Sequence, residues 1–231
     1  MLDPKSEEKG ALSPLGPLAV AGLREHVHRA LRQAILSGKF ESGSRVNERR
    51  LAEQLGVSTT PVKEALRALE ADGLVETKPR SGVIVKFDYA WAEEMILARA
   101  ALESTIARLA AKRIADHERD VLSTILISMR EATDAGGPEE LVALNEQFHD
   151  SIHAIARTKY LGRLTDRQQV YDSGARRVIH LDPKERLNAL TEHVAIGEAI
   201  IAHNAAEAET QMRHHVLRAG ESYLNLVFKK T

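Results

Sequence analysis

The 231-residue chain contains no cysteine. A disulfide framework is therefore excluded, and any metal centre has to be built from His, carboxylate or amide ligands. No apolar run approaches the roughly 20 residues that a helix needs to cross a bilayer, so no membrane contact is expected. The mildly apolar "LGPLAVAGL" at Leu15 to Leu23 lacks a basic leader and is too weak for a signal peptide, and a cytoplasmic location is expected. Also missing are an HExxH pair, a Gly-rich phosphate loop and an evident nucleophile with its base, which leaves an enzyme little to work with. Internal repeats and low-complexity segments are absent as well.

What is present is enough apolar content, 43%, for real cores, and a net charge of −1 that hides a division. Leu23 to Lys86 holds 12 Lys and Arg against 8 Asp and Glu, a balance of +4, whereas Phe87 to Thr231 holds 18 against 22, a balance of −4. Two domains meeting different partners are expected, 23–86 and 87–231. Residues 1–22, with Pro4, Pro14 and Pro17, read as a flexible tail.

In the first half Leu23, Val27, Leu31 and Ile35/Leu36 recur at helical spacing until Gly38. Asn47 then caps a short helix with Leu51, Ala52 and Leu55 inward, and Gly56 ends it. Ser58 or Thr60 caps a third helix whose first turn tolerates Pro61 and whose inner stripe is Val62, Ala65, Leu66 and Leu69. "LVET" and "GVIV" around "KPRS" complete a winged helix-turn-helix of three helices and a β-hairpin. On the outer face of the third helix Thr60, Lys63 and Arg67 follow at spacings of three and four, with Thr59 beside them. Helix surfaces carry cations in any case; here the surrounding motif points them at phosphates and base edges in a major groove. Arg45 and the wing tip, Arg80, Ser81 and Gly82, join the candidate DNA contacts, with Gly82 supplying the turn.

The stretch "ERRLAEQLGVSTTPVKEALRALEADGLVETKPRSGVIV", Glu48 to Val85, resembles the DNA-binding domain of GntR-family bacterial transcription regulators. Thr59 and Lys63 stand where that family commonly has arginine, so a planar fork becomes a hydroxyl at one position and a point charge at the other. An operator preference different from that of the relatives is the expectation.

The second half shows helical stripes and no strand-like alternation, and reads as an all-α bundle of roughly six helices with a less regular stretch from Tyr160 to His180. The helical wheel sorts the ten histidines. His149 shares a face with Leu141, Asn145, Phe148 and Ile152; His193 with Leu190, Ile196 and Ile200; and His215 with Met212, Val216 and Tyr223. His214 falls on the outer side, and His26, His28, His117, His180 and His203 read as surface or packing residues. Three inward imidazoles with Asn145 suit a metal ion, while a histidine on an apolar face also serves as a hydrogen-bonded core residue.

With "RAALE" at Arg99 to Glu103, "NEQFHDSIH", "TEHVAIGEAI" and "MRHHV" in order, this half resembles the FCD effector-binding domain of the FadR-type GntR subfamily. The resemblance implies a divalent metal of Zn, Ni or Mn type held by Asn145, His149, His193 and His215. It also implies a small carboxylate effector, for which Arg99 is a candidate contact, and a homodimer on a palindromic operator in double-stranded DNA. Asn145 departs from the usual Asp: an amide adds no negative charge, so the ion's +2 leans on an anionic ligand. His153 reads as a polar neighbour of this set. The expected function is a bacterial transcriptional regulator, a repressor by family analogy. Two other classes were weighed. One is a metal-dependent enzyme, against which Glu146 points away from the His149 face and no second Glu-x-x-His exists; the other is an architectural DNA binder without effector.

Overall fold

The computed structural model describes residues 20–167 and 173–228. Most of the expected 1–22 tail therefore lies outside the described residues, but its last three residues do not. Helix α1 runs Val20–Leu36, so 20–22 are helical.

The chain divides into two compact units at Trp91/Ala92 rather than at 86/87. Phe87 is buried and meets the half-buried Trp91 edge to face at 6.4 Å, and the Trp91 ring lies against Gly73, so both aromatics pack on the first unit. In that unit α1 is followed by β1 (Arg45–Val46), α2 (Glu48–Leu55), α3 (Thr59–Ala71), β2 (Val75–Lys78) and β3 (Gly82–Val85). Asn47 caps α2 by accepting the Arg49 and Arg50 amides, and Gly56 closes it in the left-handed region at φ 68°. Ser58 sits at the N-cap position of α3 but makes no side-chain capping bond, which corrects the expectation of a Ser58 or Thr60 cap. Val27, Leu31, Leu51, Leu55, Val62, Leu66 and Leu69 close the core between the helices.

The expected hairpin is β2 and β3, antiparallel with Lys78 opposite Gly82. A third strand was not expected: β1 pairs with β3, placing Arg45 opposite Ile84 and Val46 opposite Val83. Two residues carry no readable alternation, and only the long-range ladder makes them a strand.

The second unit is helical throughout its described residues. It comprises α4 (Tyr89–Arg113, which starts just before the division), α5 (Asp116–Ala135), α6 (Pro138–Ala156), α7 (Lys159–Arg167), α8 (Ser173–Ile179), α9 (Pro183–Ile201) and α10 (Ala205–Phe228). The stretch expected to be less regular is thus largely α7 and α8, with 168–172 outside the described residues. The core includes Ile106, Ala107, Leu122, Phe148, Ile152, Ile196, Ile200 and Met212, all fully buried. Two glycines allow close helix approaches. A Cβ on Gly197 of α9 would stand 2.6 Å from Leu126 Cδ1 of α5, and one on Gly220 of α10 would stand 2.4 Å from Ile96 Cγ2 of α4. These contacts draw in the two helices that carry His193 and His215.

Candidate functional site

In the first unit α3 shows Thr60, Lys63 and Arg67 to solvent, with Thr59 half-buried at its first turn. Lys63 Nζ lies 3.8 Å from Glu48 Oε2, a loose surface pair of the kind that contributes little and gives way readily to a phosphate. At the wing tip the Ser81 amide donates to the Lys78 carbonyl at 3.1 Å, closing a turn around Pro79 and Arg80. Arg80 has φ 64°, the position where a type II turn prefers glycine, and the backbone thereby presents its side chain at the exposed tip. Gly82 has φ 77°, and a Cβ there would come within 3.2 Å of Arg45 Nε, so Arg45 and the wing form one basic cluster. The brace that orients the wing was not read from the sequence: Glu70, late in α3, accepts the Thr77 amide at 2.7 Å and the Thr77 hydroxyl at 3.0 Å.

In the second unit α6, α9 and α10 bring His149, His193 and His215 together, with one nitrogen of each within 4.8 Å of the others. All three are buried. The His193 and His215 ring centres are 4.5 Å apart, and Phe148 packs edge-on to His193 at 4.8 Å. Burial, and then the charge that a neighbouring imidazole would carry, hold His149 and His193 well below the ordinary histidine range, so both are neutral near pH 7. Among the described residues His149 Nδ1 and both nitrogens of His193 have no hydrogen-bond partner. A buried imidazole in that condition costs stability unless an electron-pair acceptor completes it, and three converging imidazoles suit a divalent transition ion. Glu192 Oε2 accepts from His215 Nδ1 at 2.8 Å, which leaves Nε2 as that ring's free donor pair. Asn145, buried one turn before His149, shares a cavity wall with His149 and His215.

That cavity has about 510 Å³ of atom-free space, its mouth included, and is lined on its polar side by Arg99, Arg176, Arg218, His180 and Glu185. Three guanidiniums against one carboxylate suit an anionic occupant. Arg99 is buried and bonds Glu103 at 3.2 Å; Arg218 bonds Glu185 at 2.7 Å and also Glu192. His180, expected as a surface or packing residue, is buried and packs in the cavity wall, and burial followed by the charges of Arg176 and Arg186 pushes its pKa down to about 4. His153 turns away from the triad and bonds Glu103 Oε2 at 2.8 Å, the neighbour role expected of it. Glu146 is exposed, paired loosely with Arg176 at 3.8 Å. Sequence reading missed Arg176, Glu185, Glu192 and Arg218. Arg218 falls beside His214 on the wheel, a surface reading; Arg176 lies in the seven-residue α8, too short for a stripe, and Glu185 in the first turn of α9, where an acidic residue also suits the helix N-terminus.

Residues 23–85 match the family described as "Bacterial regulatory proteins, gntR family", and residues 94–218 match the FCD domain. A probable D-xylose utilization operon transcriptional repressor of Paenarthrobacter nicotinovorans is 32% identical over 190 residues, covering 79% of this chain and 80% of that one. The HTH-type transcriptional repressor RspR of Escherichia coli K12 is 25% identical over 214 residues, covering 91% of both chains. Among solved structures, E. coli McbR/YncC shares the fold with a TM-score of 0.62 at 21% identity, covering 90% of this chain and 97% of that one.

Proposed function

The chain belongs to the gntR family of bacterial regulatory proteins, carries a C-terminal FCD domain and is a transcriptional regulator, and from that premise we propose how its two sites work together. The helix-turn-helix indicates DNA binding. The finer reading is a homodimeric repressor whose two α3 helices enter successive major grooves of a palindrome. Thr59, Thr60, Lys63 and Arg67 face the bases and backbone, and Arg45, Arg80, Ser81 and Gly82 take the adjoining strand. Binding of this kind weakens as salt rises.

The observation that carries the sensor half is the convergence of His149, His193 and His215, two of which, His149 and His215, line a cavity that also holds Arg99, Arg176 and Arg218. Those histidines with Asn145 would hold a divalent ion, which supplies an open coordination position and positive charge for an anionic ligand. The protein's own residues do the rest: burial keeps His149 and His193 unprotonated, Glu192 sets the tautomer of His215, and Arg99 orients a small carboxylate. An effector that binds one dimer geometry better than the other shifts the balance between operator-bound and free protein.

Selection of operators from a random DNA pool, followed by fluorescence anisotropy with zinc and a panel of small carboxylates, tests this reading. The expected result is a palindromic site released by one carboxylate in the presence of metal; binding without sequence preference, or preference that no ligand alters, would overturn it. The same selection on Thr59→Arg is expected to return a different site, and identical profiles would remove Thr59 from the specificity set. Metal content of the wild type should approach one ion per chain and fall in His149→Ala.

A further inference from the structure

Glu192 joins the two parts of the sensor site. One carboxylate oxygen accepts from Nδ1 of His215, a member of the triad, at 2.8 Å. The other accepts from Nε of Arg218, whose side chain lines the cavity and is also held by Glu185 at 2.7 Å. Glu192 is 8% exposed, so its charge is poorly screened. A carboxylate behind a metal-binding imidazole strengthens the donor nitrogen on the other side of the ring, and a guanidinium on the same carboxylate draws that charge away. The two donors therefore compete for one anion.

We propose that Glu192 is the positioning residue that couples cation binding to anion binding: through His215 it supplies negative charge that Asn145 does not, and through Arg218 it senses the cavity's occupant. This rests on the triad being a metal site. An anion that takes over hydrogen bonds from Arg218 leaves more of the Glu192 charge for His215, and the metal is held more tightly. By reciprocity, metal tightens the anion by the same factor.

Zinc affinity of the full-length protein, measured by chelator competition with and without acetate, tests the coupling. In the wild type acetate should tighten zinc. In Glu192→Gln zinc should weaken by about 10- to 100-fold and no longer respond to acetate, whereas Glu192→Asp should retain most of the affinity. Arg218→Gln separates this role from a merely structural one, because freeing Glu192 should leave zinc bound at least as tightly as in the wild type while abolishing the acetate response. Should Glu192→Gln fail to fold, Arg218→Gln and Glu192→Asp still decide. Zinc bound equally by wild type and Glu192→Gln, an unmoved wild type on adding acetate, or a loss in Arg218→Gln matching that of Glu192→Gln would each overturn the coupling alone. A wild type that takes up no zinc overturns the metal reading and the coupling with it.

Discussion

Replacing His193 by leucine should stabilise the metal-free protein and destabilise the metal-loaded one. His193 is 1% exposed, packs against Phe148, and has, among the described residues, a hydrogen-bond partner on neither ring nitrogen. A buried polar group left unpaired costs about 1–3 kcal/mol, and an apolar side chain of similar size removes that cost. His193→Leu is thus expected to gain roughly 1–3 kcal/mol in chelator, or about 4 °C or more in the melting of the C-terminal unit. Zinc at about a thousand times its dissociation constant stabilises the wild type by about 4.1 kcal/mol, more than that gain and a shift that the variant should lose. Thermal melts in chelator and in zinc should therefore reverse the order of the two proteins. A variant that melts below the wild type even in chelator would show that the imidazole is satisfied without metal, and the reasoning from its unpaired nitrogens would fail.

The metal-free bundle should be acid-labile. His149, His193 and His180 have folded pKa values below the ordinary 6.5, His180 at about 4, so below that pH the unfolded chain takes up protons first. The contribution of these three histidines is complete above about pH 7 and falls as the pH drops through 6.5 toward 4, against the smaller opposite effect of His153, where burial is outweighed by Glu103 and the pKa is raised; Glu103 and Glu192, whose pKa values are lowered by their partners against the opposing effect of burial, extend the loss further down. Urea midpoints that stay level from about pH 7.5 to 5 would contradict this. Gly220→Ala should destabilise by about 1 kcal/mol, since overpacking of roughly 1–3 kcal/mol against Ile96 exceeds the helix-propensity gain of about 1 kcal/mol. Gly162→Ala in α7, whose Cβ would meet only His153 Nδ1 at 3.9 Å, should instead be neutral or stabilising in the same urea melts. Arg80→Gly should relieve about 1–2 kcal/mol of left-handed backbone strain, partly offset by glycine's entropy. It should also weaken DNA binding and lower the salt slope by about one; an unchanged slope would take Arg80 off the phosphates.

The three triad histidines were legible because each sits on a long helix whose apolar stripe marks the inside. His149 follows Asn145 by one turn on the face of Phe148 and Ile152, and the wheel places it without tertiary knowledge. His180 lies just past the end of the short helix α8, too brief for a stripe, and its burial was invisible. Glu192 directly precedes His193, and sequence spacing put only the histidine inward; its contact with α10 depends on how closely the two helices approach. The Glu70 brace on Thr77 was hidden in the same way, since nothing in a helix-surface glutamate announces a strand amide as its partner.

Local rules were sufficient for the long helices, the capping of α2 by Asn47 and its closure by Gly56, the exposed face of α3 and the inward set of imidazoles, because each depends on the period of one helix or the backbone freedom of one residue. The pairing of β1 with β3, the burial of His180, and the gathering of Arg99, Arg176 and Arg218 around the triad depended on the tertiary structure. Such features arise where different elements meet, and their closeness is set by packing contacts such as Gly197 on Leu126 and Gly220 on Ile96, which no single-segment periodicity encodes.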